Sequence, residues 1–257
     1  MATLLVTLAA VVAVAAAIRS TWSPCGLSML SSITPMGESA RHHRYATTAV
    51  WFVAGAVLGG LTLAAGTALL AAGVHALDLD VTARLALAAL AAAVTLASDV
   101  NVGGFRLPSH TRQVDERWLE EYRPWVYGSG YGWQIGVGLA TFVTTAAVYL
   151  MIVLAALTAS PLTAAALMTS FGLIRGLAVF LGARMTTPDR LFALHRRMEE
   201  LLPTAQRGIV LVQAAVVALA SGAVWGPAPA IVLGVAGIAV TVARQPRPFR
   251  HPQVAVA

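Results

Sequence analysis

Residues 46–73 read ATTAVWFVAGAVLGGLTLAAGTALLAAG and contain no charged side chain. An α-helix rises about 1.5 Å per residue, so about 20 residues cross the roughly 30 Å of hydrocarbon in a bilayer. The stretch is longer than that, and it lacks the alternation of apolar and polar residues that marks a membrane β-strand. It therefore predicts a transmembrane helix in an integral membrane protein.

The composition extends this prediction to most of the chain. Of its 257 residues, 58% are hydrophobic and 11% are charged, which lies outside the range of soluble domains. We predict an all-α polytopic transmembrane bundle that forms a single domain over residues 1–257. About seven spans are expected, near residues 2–33, 46–73, 81–98, 132–158, 162–182, 208–225 and 228–243.

The arginines predict the orientation of this bundle. The chain has 17 arginines and no lysine, with a formal net charge of +6. Arginines collect in alternate loops and in the tail, at residues 34–45, 99–131, 183–207 and 244–250. The other loops, at 74–80, 159–161 and 226–227, contain none, and Arg84 is the one exception near an outer end. By the positive-inside rule the N-terminus is outside and the C-terminus is cytoplasmic, in the cytoplasmic membrane of a bacterium.

Two cytoplasmic segments show helical amphipathicity, at residues 109–123 and 187–202. Thr187 and Pro188 provide an N-terminal signal for the second. We expect both to lie along the inner membrane face. The alternative is that they dock a cytoplasmic partner protein.

Pairs of glycines four residues apart predict where helices approach each other closely. Gly55 and Gly59 form one such pair, and Gly172 and Gly176 form another. Small residues at this spacing let two helix backbones pack against each other in lipid. We interpret them as packing positions.

The first span is too long for one straight crossing and contains Pro24. Proline removes a backbone donor, so a break near residue 24 is predicted. At membrane depth the freed backbone groups need polar neighbours or a water-lined cavity. Cys25 follows directly and is the single cysteine of the chain, so an internal disulfide is excluded.

Residues 23–30, SPCGLSML, resemble the first helix of the CcdA and DsbD type of transmembrane thiol-disulfide carriers of cytochrome c biogenesis, in the LysE superfamily. The resemblance implies two inverted three-helix repeats, at residues 1–100 and 130–225. It also implies a relay of reducing equivalents through two cysteines. The fourth span, GVGLATFVTT at residues 136–145, lacks the second cysteine, and Ser28 replaces the second proline of the motif. A redox role for Cys25 would therefore need a partner thiol.

The polar residues within the apolar runs define a predicted translocation site between the first and fourth spans. No carboxylate lies well inside a span, since Asp99 is expected at the inner edge of the third. Buried arginines require a partner or a water-filled path. Hydroxyls and guanidinium groups together favour a neutral or anionic solute. The predicted site comprises Arg19, Ser23, Pro24, Cys25, Ser28, Thr141, Thr144 and Arg175.

Three hypotheses for function follow. The first is a transporter-like conduit for a small solute, and the second is transfer of reducing equivalents through Cys25 with a partner thiol. The third is a non-transporting membrane assembly factor that uses Trp118 and Tyr122. No catalytic motif, cofactor motif or zinc-ligand spacing is found, and the basic residues form no nucleic-acid-binding face. The bilayer is the one partner that the composition requires.

Overall fold

The computed structural model describes residues 1–109 and 117–228, and every regular element in these ranges is helical. Short 3₁₀ turns occur at Val102–Gly104 and Ala178–Gly182. The α-helices are α1 (Ala2–Ser20), α2 (Pro24–Ser32), α3 (Pro35–Ala40), α4 (Tyr45–Ala76), α5 (Val81–Asp99), α6 (Trp118–Glu121), α7 (Pro124–Val137), α8 (Ala147–Leu157), α9 (Pro161–Leu177) and α10 (Pro188–Trp225). The predicted all-α class is confirmed.

Within the described residues, five helical segments are long and apolar enough to cross a membrane. They are Ala2–Ser20, Tyr45–Ala76, Val81–Asp99, Pro161–Gly182 and Pro188–Trp225. The bundle is therefore a membrane protein, and in the described residues the six predicted spans between positions 2 and 225 are corrected to five. The predicted span 132–158 is not one helix, and the span 228–243 lies outside the described residues from position 229 onward.

The predicted break in the first span is confirmed. Helix α1 ends at Ser20, and α2 begins at Pro24 after a turn at residues 21–23. The hydroxyl of Ser23 accepts a hydrogen bond from the backbone N–H of Gly26 at 3.1 Å. Proline is favoured in the first turn of a helix, where its missing N–H costs nothing. Ser23 and Pro24 therefore start a new helix.

The central helix α4 packs between α7 and α9 through its glycines. A Cβ atom built on Gly55 would lie 2.0 Å from the carbonyl oxygen of Ser129, and one on Gly59 would lie 2.3 Å from that of Trp133. On α9, a Cβ atom on Gly172 would lie 2.5 Å from the carbonyl oxygen of Ala56. Real Cβ contacts are never this short, so only glycine fits. The predicted packing role of the glycine pairs is confirmed.

Helix α10 joins two elements that the sequence separates. The predicted amphipathic segment 187–202 and the span 208–225 form one helix of 38 residues, and Pro203 lies inside it. The indole N–H of Trp22 donates to the carbonyl of Met198 at 2.8 Å, which fixes the N-terminal half of α10 against the end of the first span. This half is therefore not a separate surface helix. In the other segment, 109–123, residues 110–116 lie outside the described ranges.

Candidate functional site

The predicted fourth span, residues 132–158, is broken in the middle. Helix α7 ends at Val137, and α8 begins at Ala147. Between them the chain is not helical, and Gly138 has φ of 73°, a left-handed conformation that glycine adopts without strain. Helix α8 has 11 residues and covers roughly 16 Å, about half of the hydrocarbon thickness. Two helix ends therefore meet partway through the bundle, although this stretch contains no proline.

Asp99 caps the N-terminus of α8. Its Oδ1 accepts a hydrogen bond from the backbone N–H of Ala146 at 2.7 Å. Its Oδ2 accepts from the hydroxyl of Thr145 at 2.5 Å and from the side-chain amide of Gln213 at 2.6 Å. A helix N-terminus carries a partial positive charge, so a carboxylate stabilises it. Asp99 is the last residue of α5, as the sequence predicts, but it was not among the predicted site residues because its partners belong to other helices.

Arg84 lies at the other end of α8. Its guanidinium donates to the carbonyl of Thr158 at 3.3 Å and approaches that of Leu157 at 3.5 Å. The C-terminus of a helix carries a partial negative charge, which favours a cation. Arg84 and Asp99 both belong to α5, so this one helix supplies complementary charges to the two ends of α8. The arginine that departs from the loop pattern therefore has a structural reason.

Arg175 caps the C-terminus of α7. Its Nη1 donates to the carbonyl of Ile135 at 2.5 Å, and its guanidinium lies 5.6 Å from the centroid of the Phe171 ring. Only 3% of Arg175 is exposed, so the side chain does not extend to the membrane surface. The same carbonyl accepts the backbone N–H of Gly138 at 3.1 Å, so Arg175 supplies a second, charged donor at the end of α7. Both ends created by the break are thus held by charged residues from neighbouring spans.

Arg19 is buried near Asp99. Its Nε and Nη2 both donate to Oε1 of Gln206, at 3.0 Å and 2.7 Å. The guanidinium is close enough to the Asp99 carboxylate for a Coulomb interaction. Gln206 and Gln213 both come from α10, so this helix positions each member of the charged pair. Neither glutamine was singled out from the sequence, because an isolated amide in an apolar run gives no signal of its partner.

Four buried polar atoms around the break have no hydrogen-bond partner among the described residues. They are Nη1 of Arg19, Oγ1 of Thr141, Oγ1 of Thr144 and Oε1 of Gln213. A buried donor or acceptor without a partner costs about 1–3 kcal/mol, so such atoms are rare in folded proteins. We call this group the polar centre, and it comprises Arg19, Asp99, Thr141, Thr144, Thr145 and Gln213. Its unpartnered atoms include both donors and acceptors.

Among the remaining predicted site residues, Cys25 lies in an apolar cluster. Cys25 is 1% exposed and packs among Met29, Leu30 and Phe52. The hydroxyl of Tyr131 donates to the carbonyl of Cys25 at 3.0 Å and contacts Oγ of Ser28 at 2.9 Å, although either hydroxyl of that pair can donate. The Cys25 thiol is also within electrostatic range of Arg175. The predicted site therefore divides into a polar centre and a buried thiol.

Comparison with known proteins adds one relationship. Over 174 residues the chain is 31% identical to the methylamine utilization protein MauF of Paracoccus versutus, a match that covers 65% of this chain and 61% of that protein. The chain is similar to MauF. The MauF of Paracoccus denitrificans is 30% identical over 192 residues, which is 69% of this chain and 64% of that protein. The MauF of Methylorubrum extorquens AM1 is 32% identical over 149 residues, which is 55% of this chain and 50% of that protein.

The matches thus span less than two thirds of the length of each MauF protein. These relatives are named for methylamine utilization and not for thiol-disulfide transfer. No family model matches the chain, and no solved structure matches it. In the described part of the chain, no three His, Cys, Asp or Glu side chains come together as metal ligands would.

Proposed function

We propose that this chain is an integral membrane accessory protein of methylamine utilization, and that its polar centre passes a small polar solute across the bilayer. The first half of the proposal is supported by its similarity to three proteins named MauF. The second half is supported by the geometry at the break in the fourth span.

The break between α7 and α8 is the observation that supports the conduit. The break between α7 and α8 is held by Asp99 from α5 and Arg175 from α9, two charges taken out of water. An unbroken helix would satisfy its own backbone without them, and charges inside a membrane are costly. Discontinuous helices with polar ends are the arrangement that many transporters use to bind solutes. We infer that the break serves passage of a solute, for which Thr141 and Thr144 offer unpartnered hydroxyls.

The charges around the break between α7 and α8 favour a neutral or anionic solute. Arg19 and Arg175 are both buried, and Asp99 is the carboxylate held between α5, α8 and α10. Two guanidinium groups against one carboxylate leave an excess of one positive charge. A cationic solute would be repelled by this excess in a medium of low dielectric constant.

The conduit is tested by the water accessibility of the break. In a Cys25→Ser background, single cysteines replace Thr141 or Thr144, and a methanethiosulfonate reagent that does not cross membranes is added to cells or inverted vesicles. The reagent reacts with thiolates, which form only in water. We expect labelling at positions 141 and 144 and none at a matched control, Leu90→Cys, whose side chain is 61% exposed on the outer surface of α5. If none of the three positions is labelled, the conduit proposal is wrong.

The metabolic role needs a separate test. Deletion of the gene in a host that uses methylamine should abolish growth on methylamine and leave growth on ammonium unchanged. Complementation with the Thr141→Val, Thr144→Val double variant should then fail while the protein still accumulates in the membrane. Full growth of the deletion strain on methylamine would exclude the metabolic role, whatever the labelling shows.

Transfer of reducing equivalents is a second candidate function, because the Cys25 thiol lies in electrostatic range of Arg175. The thiolate would attack a disulfide of a partner protein, forming a mixed disulfide and releasing one partner thiolate. Cys25→Ser should then abolish function, and Cys25→Ala should do the same. Normal growth of both variants on methylamine would exclude this candidate.

A non-transporting assembly role is the third candidate. The rings of Trp118 and Tyr122 meet edge to face with centroids 5.8 Å apart, and 46% of Tyr122 is exposed, so an aromatic contact is available at the surface. Replacement of both residues by alanine should release a partner protein from detergent extracts while the bundle stays folded. Recovery of an unchanged complex would argue against this role.

The orientation of the bundle remains a prediction. An N-terminus outside the cell is tested by placing a cysteine at Ala2 in the Cys25→Ser background. A reagent that does not cross membranes should label it in intact cells. Labelling in inverted vesicles alone would reverse the orientation.

A further inference from the structure

An open pocket of about 490 Å³ lies where the end of α3, helix α6 and the start of α7 meet. It shares no residue with the polar centre, and its lining comes from residues 41–43 and 119–123. Its lining residues include Arg41, His43, Leu119, Glu121, Tyr122 and Arg123. We call it the headgroup pocket.

Two tryptophans set the level of this pocket relative to a bilayer. The rings of Trp51 and Trp125 lie 6.3 Å apart, and 43% and 52% of these residues are exposed on the outside of the bundle. Exposed tryptophans in membrane proteins gather at the boundary between hydrocarbon and headgroups. Trp125 follows Arg123 by two residues, in the first turn of α7. The pocket therefore lies at the depth of lipid headgroups.

The pocket presents donors for an anion. Arg123 is the N-cap residue of α7 and its side chain makes no capping bond, so the positive end of a 14-residue helix lies beside the pocket. Arg41 and His43 also line the pocket, and Glu121 is the carboxylate in the lining. A phosphate group suits such a set, because guanidinium groups bind its oxygens with charge-assisted hydrogen bonds.

The buried carboxylate of Glu38 pairs with Arg41 and offsets its charge, so Arg123 is the lining guanidinium that no described carboxylate pairs with. Glu38 accepts hydrogen bonds from the hydroxyls of Thr48 and Tyr127 as well as from Nη2 of Arg41, at 2.8 Å for the arginine. Glu38 is fully buried, and its hydrogen bonds come from groups of the protein. It fixes the position of Arg41, whose side chain remains 24% exposed.

We propose that the headgroup pocket binds the phosphate of an anionic phospholipid. A lipid is favoured over free phosphate because the pocket opens at headgroup depth, beside an exposed aromatic surface that an acyl chain can cover. Basic pockets between membrane helices bind acidic lipids by this combination of charge and depth. The proposal is independent of any transported solute, since no residue of the polar centre takes part.

The test is lipid binding to the full-length protein in neutral detergent micelles. Native mass spectrometry follows retention of dioleoyl phosphatidylglycerol or dioleoyl phosphatidylcholine as each is titrated. We expect one phosphatidylglycerol to bind with higher affinity than phosphatidylcholine. Arg123→Gln should lower the phosphatidylglycerol affinity roughly fivefold, and His43→Gln added to it should lower the affinity further.

Arg44→Gln is the matched control. Arg44 is next to His43, is exposed, and is the N-cap residue of α4 without a capping bond, but it does not line the pocket. It should leave the affinity unchanged. An equal loss in Arg44→Gln and Arg123→Gln, or no preference for phosphatidylglycerol in the wild type, would overturn the proposal. If millimolar inorganic phosphate displaces the lipid, the pocket is a site for free phosphate and the lipid proposal is wrong.

Discussion

Asp99→Asn should destabilise the folded protein far more than the same substitution at another helix cap. Asn keeps one carbonyl oxygen, which can still accept the N–H of Ala146. Its amide nitrogen then faces the donating amide of Gln213, so that bond is lost, and the hydroxyl of Thr145 loses a charged acceptor. The negative charge at the positive end of α8 disappears as well.

The magnitude follows from these losses. Hydrogen bonds within membrane proteins contribute on average about 0.6 kcal/mol and at most about 1.7 kcal/mol each. Two weakened bonds therefore cost about 1–3 kcal/mol. A charge at a partly buried helix end contributes up to about 2 kcal/mol. We expect the free energy of unfolding to fall by roughly 2–5 kcal/mol, with a further loss because Arg19 remains buried without a counter-charge.

Asp80→Asn is the control. Asp80 is the N-cap residue of α5, and its carboxylate accepts the N–H of Ala83 at 3.1 Å, but this cap is exposed. Aspartate and asparagine are about equally good N-caps, so the free energy of unfolding should change by only a few tenths of a kcal/mol. The assay is reversible unfolding in mixed micelles with increasing sodium dodecyl sulfate, followed by tryptophan fluorescence.

A double-mutant cycle isolates the pair that anchors α8. Thr145→Val alone removes the hydroxyl that donates to Asp99. If the two residues act together, the double variant should lose less stability than the sum of the single variants. Equal effects of Asp99→Asn and Asp80→Asn would refute the assignment of Asp99 as the cap that holds the break.

Three further predictions concern packing and burial. Arg175→Gln should lower the free energy of unfolding by about 1.5–3 kcal/mol, since it removes the charged donor to the Ile135 carbonyl. Arg175→Lys should lower it less, and sodium dodecyl sulfate titration measures both variants. Equal stability of the wild type and the two variants would contradict the capping role. Gly55→Ala should lower the free energy of unfolding by about 1–3 kcal/mol, because the new Cβ atom would clash with the backbone of Ser129. Gly66 is on the same helix and has no neighbouring atom within 4 Å of an added Cβ, so Gly66→Ala should raise the free energy of unfolding by up to about 1 kcal/mol. Cys25 should react with a maleimide only after denaturation; rapid labelling of the folded protein would contradict its burial.

The break at Pro24 and the spanning helices could be predicted from the sequence because their causes are local. A proline lacks the N–H that a continuing helix needs, wherever that helix packs. A long apolar run partitions into lipid through its own side chains. The close approach of α4 to its neighbours could also be predicted, because the spacing of glycines along one helix shows where another backbone can pack against it.

The break in the fourth span was decided by tertiary structure. Residues 138–146 contain no proline, and the groups that make their open backbone tolerable come from elsewhere: Asp99 reaches Ala146 from α5, and Arg175 reaches Ile135 from α9. The role of Asp99 could not be predicted, because its partners Thr145 and Gln213 are 46 and 114 positions away in the sequence. A charge in a membrane is stabilised only by the atoms around it, so its role exists only once the helices have packed.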